Sequence, residues 1–354
     1  MDQSPAAASA ASVIKLRKVG AYQRIRVLAW AGDLLYACRG YDIVRWHAGA
    51  QSWESVAHFQ ASWWRNLTSR SRLTYRLVRD GFHALAVLDD GTLVGAVPGA
   101  IVTCRPGTNR FQVTHRIARG TRPLHITRAP SGRIYWGEYF DNLERAEVHI
   151  YSSDDRGEHW QVAYTFPRGN IRHIHNIVYD RWGDCLWIMT GDEGGECKIL
   201  RASCDLRTID TVLEGNQQCR AVAAIPGPDG VCLSTDTPYE KNHIYRLSLG
   251  GNLHRLGDLD SSSIYGCRVG DALFFSTLVE PSAANPSREI QIVGAREGAT
   301  WHALLRWTKD DFPMRYFQYG NAFLPDGDNA TKYLAVTTIA VSGDDLTTTL
   351  WQVE

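Results

Sequence analysis

A glycine set between two strand-like runs recurs seven times along the 354-residue chain, and this recurrence constrains the fold more than any other feature. The glycines are Gly32 in WAGDLLYA, Gly91 in DDGTLVGA, Gly132 in PSGRIYWG, Gly183 in RWGDCLWI, Gly230 in PDGVCLST, Gly270 in RVGDALFF and Gly327 in PDGDNATKYLAV. They lie 40 to 59 residues apart, about 49 on average. An apolar or aromatic run precedes each glycine and an alternating run follows it. Most units add a third strand, such as YDIVRW, AIVTCR, EVHIYSS, CKILRAS or NHIYRLS, and several a fourth, such as WESVAHF, FQVTHRI or WQVAYTF. Helical periodicity is nowhere sustained. Four short strands per unit predict an all-β chain, a seven-bladed β-propeller with blades of about four antiparallel strands.

The last unit stops one strand short, while residues 12–19 (SVIKLRKV) read as a strand with no unit of their own. They are expected to complete the last blade beside residues 350–353, so that the N-terminal strand closes the ring and removes a sheet edge. Residues 1–354 then form a single domain, with 1–11 a flexible tail.

Lys plus Arg equals Asp plus Glu at 38 each, which offers no surplus charge for a nucleic-acid backbone. No stretch approaches the roughly 20 apolar residues of a membrane span, and the start lacks the basic and Leu-rich regions of a signal peptide. Cys38, Cys104, Cys185, Cys197, Cys204, Cys219, Cys232 and Cys267 stand singly, with no CxxC pair. They read as reduced thiols, so the expected location is cytoplasmic, with neither nucleic acid nor membrane as a partner.

Residues Ser153-Asp154-Asp155-Arg156-Gly157-Glu158-His159-Trp160 match the pattern S-x-D-x-G-x-x-W, the Asp-box. A trace persists at Ser203-Cys204-Asp205, with Arg207 where the glycine would stand, and as Trp53 in the first unit. On these residues the chain resembles the BNR-repeat, sialidase-like propeller superfamily. The resemblance implies carbohydrate-active relatives, and a box on the turn face opposite the usual binding site. Sialidase activity is not expected. The closest string to that family's early Arg-Ile-Pro motif is Arg128-Ala129-Pro130 in the third unit, and no arginine triad accompanies it.

In a propeller the starts of first strands and the ends of second strands meet at one mouth of the central channel. The fourth unit places His173, His175, Asp192 and Glu193 there. On a strand the two histidines share a face about 6–7 Å apart, spaced to act as acid and base or to hold a divalent metal with one of the carboxylates. The fifth unit contributes Gln218, Arg220, Asp236 and Tyr239. A buried Arg220 needs either an aspartate or a ligand carboxylate as its partner. The third unit adds Glu138 and Tyr139, of which only one can face the channel. Tyr139, Tyr265, Tyr316 and Tyr319 could offer aromatic faces to sugar rings. Long insertions around Trp63-Trp64 and at residues 281–288 could rim the mouth.

This composition is similar to that of seven-bladed propeller polysaccharide lyases. The leading expectation is β-elimination on an acidic, uronic-acid-containing saccharide: His173 or His175 as base, Tyr139 as acid, and Arg220 neutralising the sugar carboxylate. Glu138, Asp192, Glu193, Gln218, Asp236, Tyr239, Tyr265 and Tyr319 are the expected substrate-binding residues. The alternatives are a glycoside hydrolase working through paired carboxylates and a sugar-binding propeller without catalysis. No cofactor is expected beyond a possible divalent metal at His173/His175.

Overall fold

The computed structural model describes residues 13–69 and 71–354; the expected tail, and Ser12 of the expected closing strand, lie outside the described residues. The chain forms a seven-bladed β-propeller. Six blades are built from consecutive strands, each with antiparallel neighbours: Arg26–Gly32 to Ser52–His58, Ala84–Val87 to Gln112–Arg116, Thr127–Arg128 to Gln161–Phe166, Ile174–Asp180 to Ile209–Glu214, Ala221–Gly227 to Leu253–Leu259, and Ser263–Val269 to His302–Thr308. The seventh joins Asn321–Phe323, Tyr333–Ile339 and Thr347–Val353 to the N-terminal strand Leu16–Gln23. That strand pairs antiparallel with the C-terminal one, from Leu16 opposite Val353 to Gln23 opposite Thr347.

Closure therefore occurs as expected, but the closing strand runs a few residues further along the chain. Its far end is set by Arg24, which adopts a left-handed conformation (φ 58°) and donates its backbone N–H to the Leu346 carbonyl at 2.8 Å. The last blade departs from the expected pattern in a second way. The segment Asp326–Asn329 leaves its own blade and lies parallel to Arg26–Gly32 of blade one. Gly327 makes this approach feasible, because a Cβ there would overlap the Trp30 carbonyl.

Apolar residues concentrate between blades, where neighbouring sheets face each other. One cluster joins Tyr135, Val148 and Ile150 of blade three to Ile177, Leu186 and Ile188 of blade four. Another joins Trp187, Met189 and Ile199 of blade four to Ala221, Val231 and Leu233 of blade five. The Asp-box turn works within this packing. The Ser153 hydroxyl accepts from Gly157 N–H at 2.8 Å, and the Asp155 carboxylate accepts from His159 N–H at 2.9 Å. Gly157 sits against Val94 and Thr103 of blade two, and the Thr103 hydroxyl donates to its carbonyl at 2.9 Å. At the second, eroded box the left-handed residue is Leu206 (φ 58°), and Ser203 and Asp205 still bond the turn.

Two short helices, α1 (Trp63–Thr68) and α2 (Arg72–Val78), fill the connection from blade one to blade two. They were not anticipated from the sequence. Each is under two turns long, too short for an apolar period to emerge. All eight cysteines are free, six of them buried. Among the described residues no helix is long and apolar enough to cross a membrane.

Candidate functional site

Blade four's innermost strand begins at Ile174, and its register against the next strand shifts between Ile174 and Asn176. His175 is thus the extra residue of a β-bulge, a feature that bends a strand and re-aims a side chain. The bulge brings the two imidazoles closer than a regular strand would. Their ring centres lie 5.0 Å apart, and Nε2 of His175 is 3.1 Å from Nε2 of His173. His173 is 5% and His175 3% exposed.

The far ring nitrogens fix the tautomers. Nδ1 of His173 lies 3.0 Å from the Phe140 carbonyl, and Nδ1 of His175 lies 3.0 Å from the Ala221 carbonyl. A carbonyl only accepts, so each Nδ1 carries its proton. Each Nε2 is therefore a lone pair unless it takes a further proton. Two lone pairs 3.1 Å apart repel, and one proton between them makes the contact a hydrogen bond.

Asp192 completes the arrangement. It follows the end of the second strand of blade four, after Gly191, whose φ of +95° turns the chain. One carboxylate oxygen lies 3.3 Å from His175 Nε2 and the other 3.4 Å from His173 Nε2. Arg172 reaches the same carboxylate at 3.1 Å and Arg220 at 3.2 Å. Burial alone would raise the Asp192 pKa, but the two histidines beside it outweigh it and hold the carboxyl well below the usual range. Burial lowers the His173 pKa, and proximity to His175 adds to that against the pull of Asp192. The three groups His173, His175 and Asp192 point their ligand atoms to within 4.8 Å of one another and could hold a divalent cation in place of the shared proton.

Tyr139 stands over the pair, its ring centre 4.4 Å from that of His173 and 6.4 Å from that of His175. Burial, then the negative charges of Asp192 and Asp236, push its hydroxyl pKa up to about 12. Asp236 lies 3.8 Å from Arg220 and is itself shifted upward by burial.

The structure thus brings together His173, His175, Tyr139, Asp192, Arg220 and Asp236. It does not bring in the rest. Glu138 points to the other side of its strand, where it pairs with Arg119 and accepts the His149 N–H at 2.8 Å. Alternation along the strand admits Tyr139 and turns Glu138 away. Glu193 is exposed and lies 3.8 Å from Arg145. Gln218 is exposed, and its neighbour Gln217 contacts the site instead, donating from Nε2 to the Asp192 carbonyl at 3.0 Å. A short 3-10 turn over Gln217–Cys219, invisible as a strand pattern, exchanges the two. Tyr239 is 63% and Tyr319 40% exposed, and neither ring is paired with the histidines. Tyr265 packs on Phe323, with ring centres 5.2 Å apart, near His125.

Sequence reasoning also missed residues. Arg172 sits beside the first histidine and bridges Asp192 to Asp141. Glu280, following the second strand of blade six, has its pKa raised by burial and then by Asp236. An arginine immediately before a histidine pair was the available signal for the first; nothing in the local pattern marked the second.

No protein-family profile matches the chain, and no curated protein matches it. Among solved structures the chain is similar to the β-propeller domain of Cps50 (Swd1) from Myceliophteria thermophila, with 12% identity and a TM-score of 0.59 over 96% of this chain and 100% of that one. It is also similar to a chain of the mitotic checkpoint complex, with 11% identity and a TM-score of 0.57 over 99% of this chain and 96% of that one. At such identities the likeness is one of fold alone: the chain folds as a seven-bladed β-propeller.

Proposed function

We propose that the mouth formed by blades three to five is a proton-transfer site acting by β-elimination on an acidic saccharide. The observation that carries this is the His173–His175 contact. Both Nδ1 protons are committed to carbonyls, both Nε2 atoms face one another at 3.1 Å, and Tyr139 lies against the pair. With the shared proton carried by His175 and turned to the Asp192 carboxylate 3.3 Å away, the freed Nε2 lone pair of His173 takes the proton from C5 of a uronate. The C5–H electrons form the C4–C5 double bond, the C4–O bond breaks, and the Tyr139 hydroxyl protonates the departing oxygen. A raised tyrosine pKa suits the acid and a lowered histidine pKa suits the base.

Arg220 acts here together with Arg172. Both hold Asp192 by their fork tips, and each keeps a buried Nε–H without an acceptor, a donor for the sugar carboxylate. The Asp-box turns support membership of the sialidase-like propellers, and eight free thiols suit a reducing compartment such as the cytoplasm.

A second reading has its own support. Asp192 and Asp236 flank Arg220 with pKa values pushed in opposite directions, as the two carboxyls of a glycoside hydrolase are. One assay separates the two. Incubation with polygalacturonate, glucuronan or alginate should raise ultraviolet absorbance through the conjugated double bond. Reducing ends without absorbance would replace the lyase by the hydrolase, and neither signal with measurable binding would leave a sugar-binding propeller. His173→Ala should lower turnover by roughly 10²–10⁴ if it is the base.

A further inference from the structure

A cavity of about 500 Å³ lies between blade one and the helices α1 and α2, away from the histidines. Four guanidiniums line it, those of Arg24, Arg26, Arg39 and Arg72, against a single carboxylate, that of Asp42. That carboxylate is already engaged, 2.6 Å from Nδ1 of His58. Arg72 leans on Asp345 at 3.3 Å, but among the described residues Arg24, Arg26 and Arg39 have no acidic partner within 4 Å.

Arg26 is the most telling of the four. It is 7% exposed, a buried charge held by carbonyls rather than by an anion. Its guanidinium donates to the Phe82 and His83 carbonyls at 3.3 Å each and stacks over the Phe323 ring at 4.1 Å, while its Nε–H has no acceptor. A buried cation without a counter-charge is costly, and an anion in the cavity would remove that cost. Positive charge also accumulates behind it. Arg122 is pushed down to about 10, by burial and then by Arg26 itself.

The cavity opens on the face already described. Arg24 and Arg26 stand at the start of a first strand, as His173 and His175 do, and residues 39–42 run from the end of a second strand to the start of a third, at the position of the turn that carries Asp192. The connection carrying α1 and α2 leaves from that same face and presents Trp63, 79% exposed, and Trp64, 41% exposed. Exposed indoles on α1, whose Asn66 lines the cavity, together with the guanidiniums suit a ligand that is partly a sugar ring and partly an oxyanion.

We propose that this cavity is an anion subsite of the mouth, taking the carboxylate or ester sulfate of an acidic saccharide whose sugar ring stacks on Trp63 or Trp64. The saccharide rests on the function proposed above; the anion subsite stands on the cavity alone. Two probes separate them: inorganic sulfate, and a galacturonate tetramer with a neutral tetrasaccharide as control.

Arg24 and Arg39 are exposed, so Arg24→Gln/Arg39→Gln should fold as the parent does. Sulfate should raise the melting temperature of the parent and of His173→Ala, and the effect should fade as sodium chloride rises. The double variant should lose the sulfate response and bind the tetramer at least about 10-fold more weakly. Trp63→Ala should weaken the tetramer and leave the sulfate response intact. An unchanged sulfate response in the double variant, or none in the parent, overturns the subsite. Tetramer binding that needs His173 but ignores the arginines also overturns it, and leaves the elimination site standing. If both probes need the arginines and no acidic polysaccharide is cleaved, the subsite stands and the proposed catalysis falls.

Discussion

Asp192, partly buried, and Asp236, buried, both lie beside Arg220, and their surroundings treat them in opposite ways. Asp192 has two arginines and two imidazoles within 3.4 Å, whereas for Asp236 a guanidinium at 3.8 Å, with smaller help from His175 and Ser262, does not offset its burial. Replacing each by its neutral isostere should therefore move stability in different directions at pH 7. Asp192→Asn should cost about 1–3 kcal/mol, because it leaves Arg172 and Arg220 without their shared anion. Asp236→Asn should be neutral or stabilising, since it removes a desolvated charge.

The pH dependence follows from the signs. The folded pKa of Asp192 is depressed, so its contribution is complete above the ordinary carboxylate value of about 4 and is lost as pH falls below that. Melting curves should show the gap between parent and Asp192→Asn narrowing in acid. A constant gap down to strongly acidic pH would mean that the carboxylate is not held ionised by these partners. The histidines, Asp192 and Arg220 were legible in the sequence because strand starts and ends had already been located by the repeat. The Gln217/Gln218 exchange was not, since it depends on a single 3-10 turn.

At the scale of elements, the bulge at His175 and the turn at Gly191 create the site from ordinary propeller strands. Strand alternation predicted two histidines on one face but not their contact at 3.1 Å, which needs one extra residue in the ladder. Innermost strands of other blades shift register at the same place, between Val27 and Ala29, Ala221 and Ala223, and Ser263 and Tyr265. The bulge is thus general to these blades, and what distinguishes blade four is the residue placed on it. The helices α1 and α2 were illegible for a related reason. Trp63, Leu67, Leu73 and Leu77 are exposed, and the buried residues of α2 are the neighbouring Tyr75 and Arg76, so no apolar stripe imposes a period.

Gly191 lets this scale be tested directly. At φ +95° an added Cβ is strained, and it would overlap the Glu196 carbonyl and the following backbone. Gly191→Ala should cost at least about 1–2 kcal/mol and should displace Asp192 from the imidazoles. Gly195→Ala, a few residues on in the same loop with open space around its Cα and no positive φ, is the control and should be close to silent. Equal melting temperatures for the two variants would show that the turn relaxes without strain.

On the scale of the whole molecule, the ring is held shut by residues at opposite ends of the chain. Arg17 bonds Glu354 at 3.2 Å, Lys15 and Glu354 exchange backbone bonds at 3.0 and 2.9 Å, and Ile14 is buried with Leu334 and Val336 of the last blade. The closing strand forms one edge of its sheet, and without it Thr347–Val353 would present an unpaired edge and lose its apolar cover. Such contacts carry the largest loop-closure cost available to this chain. Removing residues 1–23 should therefore leave six complete blades and an open seventh. The truncated protein should lose several degrees or more of melting temperature and associate through the exposed strand. Added in trans, a peptide of residues 13–24 should restore the melting temperature and suppress association. The same peptide with Leu16 and Val19 replaced by Lys should do so less well. If the truncated protein melts as the parent does, the terminal strand covers the last blade without closing it, and ring integrity resides in the blade-to-blade contacts alone.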